Sequence, residues 1–318
     1  MENRRFIYPN VTPFNEFYLG SCYTEAYVPA IAAFGISPDV FLANNYSYFQ
    51  INESRLIIRT AYIDDQTVFN SHYGLVEENL YQKIENLPSF LLEQLSVGKL
   101  CLCRTDDPHA IDSESGQETA GSGEGVIHWL LVYGYDLDMQ LFFILEHRTN
   151  FSALYRPMEI SFEELSRAYN DSFKSNILPE KNLTILWKEK NVEKVPPLSE
   201  LLIQREKSRR KIAPDSTEVL SNFYNHLAER NMKTDCGELL IQLNMIIEVF
   251  RKENFILSSY GQEELFQNFE KNNNLLRSFA IKTMMGKTPK PDNYVKYCES
   301  IRCLLTDYKE LCDEILSC

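Results

Sequence analysis

The amino-acid sequence predicts an α+β fold in two parts, a mixed domain with an antiparallel sheet over residues 1–194 and an all-helical domain over residues 195–318. Short β-rich runs alternate with helical runs over residues 14–187, which is typical of α+β domains. From Leu198 onward the strand signals stop and apolar residues recur at helical spacing. The triplet Val195-Pro196-Pro197 therefore predicts a linker between the two parts, or the start of a helix.

The early elements of the first part follow from local patterns. Small and apolar residues at helical spacing, ended by Gly35, predict a helix. Two runs rich in β-branched and aromatic residues predict strands, and the next stretch predicts helical structure broken near Pro88, because proline removes a backbone donor. The expected order is a helix over 22–34, strands over 41–51 and 55–63, one or two helices over 75–97 and a strand over 99–103.

A polar stretch over residues 104–125 separates these elements from the next strands. It is rich in Gly, Ser and Asp and shows no periodicity, so we expect a flexible surface loop or lid. The runs VIHWLLVYGYD and LFFILEHR come next and predict a β-hairpin that turns at residues 137–140. The first part then ends with an expected strand over 155–160, a helix over 162–169 and a strand over 183–187.

The second part is predicted to contain four or five helices. Apolar residues recur there at i, i+3 and i+4, as they do at Leu239, Leu243 and Ile246. This spacing places one apolar stripe on each helix, which is typical of helices that pack against one another.

Composition and charge limit the classes of partner. The 32 Lys and Arg residues against 45 Asp and Glu residues give a formal net charge of −13. Such a charge repels phosphate backbones, so we expect no nucleic-acid partner. The sequence has no run of about 18 apolar residues that could cross a bilayer, and its N-terminal residues lack the apolar region of a signal peptide. We therefore expect a cytoplasmic protein with no membrane partner.

Metal ions and nucleotide cofactors are not expected to bind. Four cysteines near the C-terminus lack the close pairing of a zinc site and have no histidine nearby. No phosphate-binding glycine loop is present either. The four cysteines are Cys298, Cys303, Cys312 and Cys318.

Cys22, in the segment GSCYTEAY, is the candidate nucleophile. It opens the first predicted helix, where the helix dipole and the free backbone N–H groups stabilise a thiolate and lower the pKa of the thiol. The same N–H groups, including that of Cys22, are suited to bind an oxyanion formed when the thiolate attacks a carbonyl. The alternative is that Cys22 is a small buried residue at a helix start.

His128 and Glu146 are the candidate base and its orienting acid. His128 stands at the beginning of one strand of the predicted hairpin, and Glu146 stands at the end of the other. These two positions are neighbours in a hairpin, so the carboxylate is expected to reach the imidazole, as nucleophilic catalysis requires. The alternative is that His128 is a core histidine whose hydrogen bonds are satisfied.

In these features the sequence resembles the papain-like cysteine enzymes in their bacterial arrangement. It is most similar to the N-terminal domain of the butirosin-biosynthesis acyltransferase family and more distantly to bacteriocin-processing cysteine peptidases. The stretch SCYTEAYVPAIAAFGISPDVFLANNYSYF is similar to the opening of that family, and YRPMEISFEELSRAYN is similar to its strand and helix after the acidic residue. The resemblance covers about residues 14–190.

The resemblance implies the role of each site residue. Cys22 corresponds to the nucleophile, His128 to the general base and Glu146 to the orienting acid, although this third residue is Glu rather than Asp. Related peptidases often place a Gln about six residues before the nucleophile as an oxyanion donor, and here that position is Glu16, next to Asn15. An ionised Glu cannot donate. The oxyanion candidates are Asn15, a protonated Glu16, and the backbone of Cys22 and Tyr23.

The implied activity is acyl transfer in natural-product (antibiotic) biosynthesis. The donor would be an acyl thioester on the phosphopantetheine arm of an acyl or peptidyl carrier protein, with no bound cofactor, and the acceptor would be an amine of a small molecule. Residues 104–125 and the helical part would help to keep water from the acyl-enzyme. The alternatives are a thioesterase, amidohydrolase or peptidase with the same triad, a non-catalytic carrier-binding or scaffold protein, and an interaction protein built around the helical half.

Two further groups of residues are candidates for binding. Tyr46, Tyr48 and Trp129 are candidate substrate-binding residues, although alternating aromatic residues in a strand are also typical of a core. The basic run REKSRRK is a candidate docking surface for an acidic carrier protein, or simply a solvated helix face. Its candidate residues are Arg205, Arg209 and Arg210.

Overall fold

The computed structural model describes residues 4–19, 21–52, 55–106, 127–147, 155–173, 181–189, 196–229, 236–287 and 291–317. Within these ranges the fold is α+β, with an antiparallel sheet and a large helical portion. The chain forms two compact units, and each unit is built from two separate stretches. The first unit comprises Met1–Pro38 and Gln66–Val195, and the second comprises Asp39–Asp65 and Pro196–Cys318.

The described strands of the first unit form one antiparallel sheet in the order β4-β9-β5-β6-β7-β8, with β1 beside the second half of β6. Each predicted strand after residue 99 is present within one to three residues of its expected bounds. The strands are β1 (Arg5–Ile7), β4 (Leu75–Leu80), β5 (Leu100–Asp106), β6 (Ile127–Asp136), β7 (Leu141–His147), β8 (Tyr155–Ser161) and β9 (Leu183–Lys188).

Helices cover both faces of this sheet. Apolar residues of α4 and α5 pack on alternate residues of the central strands, such as Cys103 and Leu130. The residues between them, such as Leu102 and Leu131, are also fully buried, and α1 packs against β5 and β6. The central strands are therefore almost continuously apolar, as expected for strands buried on both faces. The helices are α1 (Cys22–Ala33), α3 (Gln66–His72), α4 (Leu87–Ser96) and α5 (Phe162–Asp171).

The region over 75–97 corrects a sequence-based expectation. Leu75–Leu80 is the strand β4 and not a helix, because it pairs along its whole length with β9, a partner that a local pattern does not reveal. Pro88 lies in the first turn of α4 and does not break it, since the first N–H groups of a helix have no intrahelical acceptor. The expected loop over 104–125 begins within β5, and its residues from 107 onward lie outside the described ranges.

A β-hairpin of the second unit comes from an early part of the chain. It consists of β2 (Asn45–Asn52) and β3 (Arg55–Tyr62), and the helix α2 (Pro38–Asn44) precedes it where a strand was expected from residue 41. The Phe49 N–H donates to Ser216 Oγ at 2.9 Å, and the Phe49 ring stacks on Phe250 with 6.4 Å between centroids. The expected first part, 1–194, therefore differs from the first unit, because this hairpin packs on helices far along the sequence.

Five α-helices follow residue 196 within the described ranges, in agreement with the expectation of four or five. Their buried stripes include Leu239, Leu243 and Ile246, as the spacing predicted. None of the helices in the described ranges is both long enough and apolar enough to cross a membrane. The helices are α6 (Leu198–Ile212), α7 (Ser216–Glu229), α8 (Cys236–Ile256), α9 (Glu263–Met284) and α10 (Pro291–Ser317), with a short 3-10 helix at Ser258–Tyr260.

Candidate active site

Cys22 is the first residue of helix α1 in the first unit. Ser21 caps the helix in an extended conformation, and its Oγ accepts a hydrogen bond from the Thr24 N–H at 3.1 Å. The N–H groups of Cys22 and Tyr23 precede this capped position and have no acceptor within the helix. They lie at the positive end of the helix dipole, and the Cys22 side chain is half-buried.

The chain before Cys22 is fastened to the body of the first unit. The Leu19 N–H donates to Oε1 of the buried Glu25 at 2.6 Å. Further upstream, Asn15 Nδ2 donates to the Tyr155 carbonyl at 2.8 Å, and Asn15 Oδ1 accepts from the Tyr155 N–H at 3.0 Å. Strand β8 therefore fixes the segment that leads to the candidate nucleophile.

His128 and Glu146 are joined as the hairpin geometry predicted. The Nε2 atom of His128, on β6, lies 2.6 Å from Oε1 of Glu146, on β7. The two side chains are only 13% and 12% exposed, so water weakens their attraction little. Glu146 therefore sets the orientation of the imidazole ring and supplies it with a negative neighbour.

Cys22 and His128 are hydrogen-bonded through their side chains, which brings three residues from distant parts of the chain into one site. Burial alone would lower the pKa of His128. The Glu146 carboxylate and the Cys22 side chain act in the opposite direction and raise the pKa of His128 to about 10. The site therefore favours the protonated form of His128 beside the Glu146 carboxylate.

Replacing Glu146 with Gln should lower the pKa of His128, because the carboxylate is the main opponent of burial. Histidine-selective NMR titration measures this pKa directly. In the wild type the resonance should titrate far above the ordinary value of about 6.5. The folded-state pKa is raised, so its contribution to stability is complete below about pH 6.5 and is lost as the pH rises toward about 10. An unchanged His128 titration in Glu146→Gln would contradict this electrostatic account.

Tyr155 is a member of the site that the sequence did not single out. Its hydroxyl donates toward the Trp129 carbonyl at 2.9 Å and the Cys22 carbonyl at 3.1 Å, and it lies 3.4 Å from His128 Nε2. The side chain is 1% exposed, and burial raises the pKa of its hydroxyl, so the proton is retained. In the sequence Tyr155 is one of 18 tyrosines, at the start of an ordinary strand.

Tyr23 and Trp129 form an aromatic wall next to Cys22. The Tyr23 ring meets Trp129 edge-on, with 5.0 Å between centroids, and its hydroxyl donates to Glu77 Oε1 at 3.2 Å. Lys181 Nζ lies over the face of the Tyr23 ring, 3.5 Å from its centroid. Trp129 is 8% exposed, so only a small part of this candidate substrate-binding residue reaches solvent.

The oxyanion candidates divide into two groups. The Asn15 side chain is bonded to the Tyr155 backbone through both of its polar atoms, and the Glu16 side chain is exposed to solvent. The hydrogen bonds of the Asn15 side chain are thus made with β8. The backbone N–H groups of Cys22 and Tyr23 are therefore the candidates that the helix start itself supplies.

The expected role of Tyr46, one of the other two tyrosine candidates, requires correction. Tyr46 and Tyr48 lie on β2. Tyr46 is fully buried, so its ring is part of a core and is not available to line an acceptor pocket. Tyr48 is half-buried.

The structure removes two of the three arginines from the expected docking surface on α6. Arg205 is fully buried and contacts Glu253, and Arg209 is 8% exposed and donates to Glu206 Oε2 at 2.6 Å. Arg210 is exposed but contacts the carboxylate of Asp313. Positions 205 and 209 are one helical turn apart and face the interior, so two of the three arginines cannot meet a partner protein.

No protein-family model matches the chain, and no curated protein is similar to it. In the part of the chain that the structure describes, no three His, Cys, Asp or Glu side chains form a group that could hold a metal ion. The arrangement of Cys22, His128 and Glu146 is therefore the main guide to the chemistry of the site.

Proposed function

We propose that the protein is a cytoplasmic, papain-like cysteine acyltransferase. It moves an acyl or aminoacyl group from a carrier-protein thioester through Cys22 to an amine of a small natural-product acceptor. The observation that carries the proposal is the contact series from Cys22, at the start of α1, to His128 and on to Glu146. Such a series supports nucleophilic catalysis because the base lies next to the nucleophile and is itself oriented by an acid.

The resting state we propose is a thiolate paired with an imidazolium. Since Nε2 of His128 faces Glu146, we assign the other ring nitrogen, Nδ1, to proton exchange with Cys22. The charged pair is favoured by the Glu146 carboxylate and by the positive end of α1. Cys22 would then be nucleophilic near neutral pH without any further activation.

The first half-reaction transfers the acyl group to the enzyme. The Cys22 sulfur forms a bond to the thioester carbonyl carbon, and the carbonyl electron pair moves to oxygen beside the N–H groups of Cys22 and Tyr23. When the oxyanion collapses, the bond to the donor sulfur breaks and His128 gives its proton to the departing thiol. One thioester replaces another, so this step is nearly balanced in energy.

The second half-reaction releases the product. The acceptor amine attacks the acyl-enzyme, His128 takes a proton from the amine, and the bond to the Cys22 sulfur breaks. The products are an amide and the thiolate–imidazolium pair, so the enzyme is restored. A water molecule in the place of the amine gives hydrolysis by the same residues, which is the thioesterase alternative.

Intact-protein mass spectrometry with a panel of N-acetylcysteamine acyl thioesters tests this proposal. The wild type should gain the mass of one acyl group, and Cys22→Ala should gain none. Cys303→Ala is the matched control, because it removes an exposed thiol on α10 and should leave the adduct unchanged. Adding amines should then discharge the adduct faster than buffer alone if transfer is the activity, whereas equal discharge favours the hydrolase.

The proposal would be wrong if the full thioester panel gave no adduct that depends on Cys22. An adduct that persists in Cys22→Ala and disappears in Cys303→Ala would equally contradict it, because the acylated thiol would then lie outside the site. Either result would favour a non-catalytic carrier-binding or scaffold role.

A further inference from the structure

We propose that Tyr155 is a positioning residue, whose hydroxyl holds the start of helix α1 and the start of strand β6 at the spacing that lets Cys22 and His128 share a proton. The inference rests on the proposed role of Cys22 as nucleophile. It adds a fourth residue to the site and assigns it a task other than proton transfer or substrate contact.

The hydroxyl of Tyr155 connects the backbones that carry the two reacting side chains. It has one hydrogen and two nearby acceptors, the Trp129 carbonyl at 2.9 Å and the Cys22 carbonyl at 3.1 Å. The first acceptor belongs to the residue after His128, and the second belongs to the nucleophile itself. A change in the distance between α1 and β6 at this point would therefore lengthen at least one of the two hydrogen bonds.

The same hydroxyl also faces the catalytic base. With its hydrogen directed at the carbonyl groups, the oxygen lone pairs are left toward His128 Nε2, which lies 3.4 Å away. This side of the imidazolium carries an N–H whose main acceptor is Glu146, at 2.6 Å. Tyr155 therefore restricts the orientation of the His128 ring from a second side, in addition to Glu146. The ring centroids of Tyr155 and His128 are 6.1 Å apart.

The backbone and the side chain of Tyr155 are both fixed by the surrounding protein. Its backbone N–H and carbonyl both bond to the Asn15 side chain, and it pairs with His147 in the sheet. Its side chain is 1% exposed, so the ring has no open space into which to rotate. The role of Asn15 follows from the same contacts: it fastens Tyr155 to the segment that leads to Cys22.

Removing the hydroxyl should weaken the thiolate without unfolding the protein. Tyr155→Phe keeps the ring and its packing, but the two carbonyl groups lose their shared donor. The Cys22–His128 spacing can then relax, so the imidazolium stabilises the thiolate less well. The alkylation rate follows the thiolate fraction, so it reports this loss directly.

The test is the rate at which iodoacetamide alkylates Cys22 in the full chain, measured by peptide mass spectrometry over a range of pH. At about pH 6 Tyr155→Phe should react about 10-fold more slowly than the wild type, a smaller loss than removal of the imidazole causes. Near pH 10 the rates should converge, because hydroxide then ionises an accessible thiol without help from His128. Tyr169→Phe is the matched control. Tyr169 is also fully buried in the first unit, and its hydroxyl accepts from the Ile84 N–H at 3.2 Å, so its loss removes a comparable contact far from Cys22.

A double-mutant cycle separates positioning from a general structural effect. In a His128→Ala background Tyr155→Phe should change the alkylation rate no further, because no imidazole remains to be positioned. A Tyr155→Phe profile that superimposes on the wild type would overturn the inference, and so would an equal loss in the His128→Ala background. The proposed function fails separately if wild-type Cys22 reacts no faster than the exposed Cys303 at about pH 6.

Discussion

Replacing His128 with Ala should slow the alkylation of Cys22 by iodoacetamide about 100-fold at about pH 6.5. A thiol with the ordinary pKa of about 8.5 is only about 1% ionised at that pH, whereas a thiolate paired with an imidazolium is almost fully ionised. His128 is hydrogen-bonded to Cys22 and carries the raised pKa that keeps it charged at neutral pH. The rate is measured by quenching the alkylation at timed intervals and quantifying the modified Cys22 peptide by mass spectrometry.

His72→Ala is the matched control for this experiment. His72 is an exposed histidine of the first unit, at the end of α3, and its loss should leave the alkylation rate within about twofold of the wild type. At about pH 10 the His128→Ala protein should also recover most of its reactivity, because hydroxide then ionises the thiol without help. A His128→Ala rate equal to that of the wild type at about pH 6.5 would remove the basis for treating the two residues as a catalytic pair.

Replacing Glu253 with Ala should lower the free energy of unfolding by about 3–5 kcal/mol. Glu253 is a buried carboxylate of the second unit that contacts Arg205 and accepts from the Tyr308 hydroxyl at 2.9 Å. The Nε and Nη1 atoms of Arg205 are buried and have no hydrogen-bond partner in the described part of the chain. Without Glu253 the guanidinium would be a buried charge with its main counter-charge removed, which is the costly case for a buried ion pair.

Urea unfolding followed by circular dichroism measures this effect, and an exposed ion pair provides the control. Arg210 and Asp313 form such a pair at the surface of the same unit, so Asp313→Ala should cost less than about 1 kcal/mol. The double variant Arg205→Met with Glu253→Leu should recover most of the stability, because neither charge then remains buried. A loss in Glu253→Ala no larger than that in Asp313→Ala would contradict the burial argument.

The core of the candidate site was predictable because each residue has a local signal. Cys22 opens the first predicted helix, a position that favours either an activated thiol or a small buried residue. His128 lies near the start of one hairpin strand and Glu146 near the end of the other. The short turn therefore places both residues at the open end of the hairpin. No knowledge of the rest of the chain is needed for either inference.

The parts that sequence reasoning missed depend on tertiary partners. Leu75–Leu80 has a polar, helix-like pattern and becomes a strand only because β9 pairs with it. The role of Tyr155 depends on hydrogen bonds to two backbone carbonyl groups, and no sequence pattern indicates such bonds. For Arg205 and Arg209 a signal did exist, because they continue the helical stripe begun by Leu201 and Leu202, all of which are buried.

The two-stretch construction of each unit also sets the order in which the protein can fold during synthesis. The stretch 39–65, which contains the β2–β3 hairpin, leaves the ribosome long before the helices after residue 196 that cover it. Until then Tyr46 and Phe49 lack the helices that bury them, and a pair of strands without cover readily joins other chains. For the same reason a cut at residue 195 does not separate the two units, since it leaves the N-terminal fragment with a piece that belongs to the other.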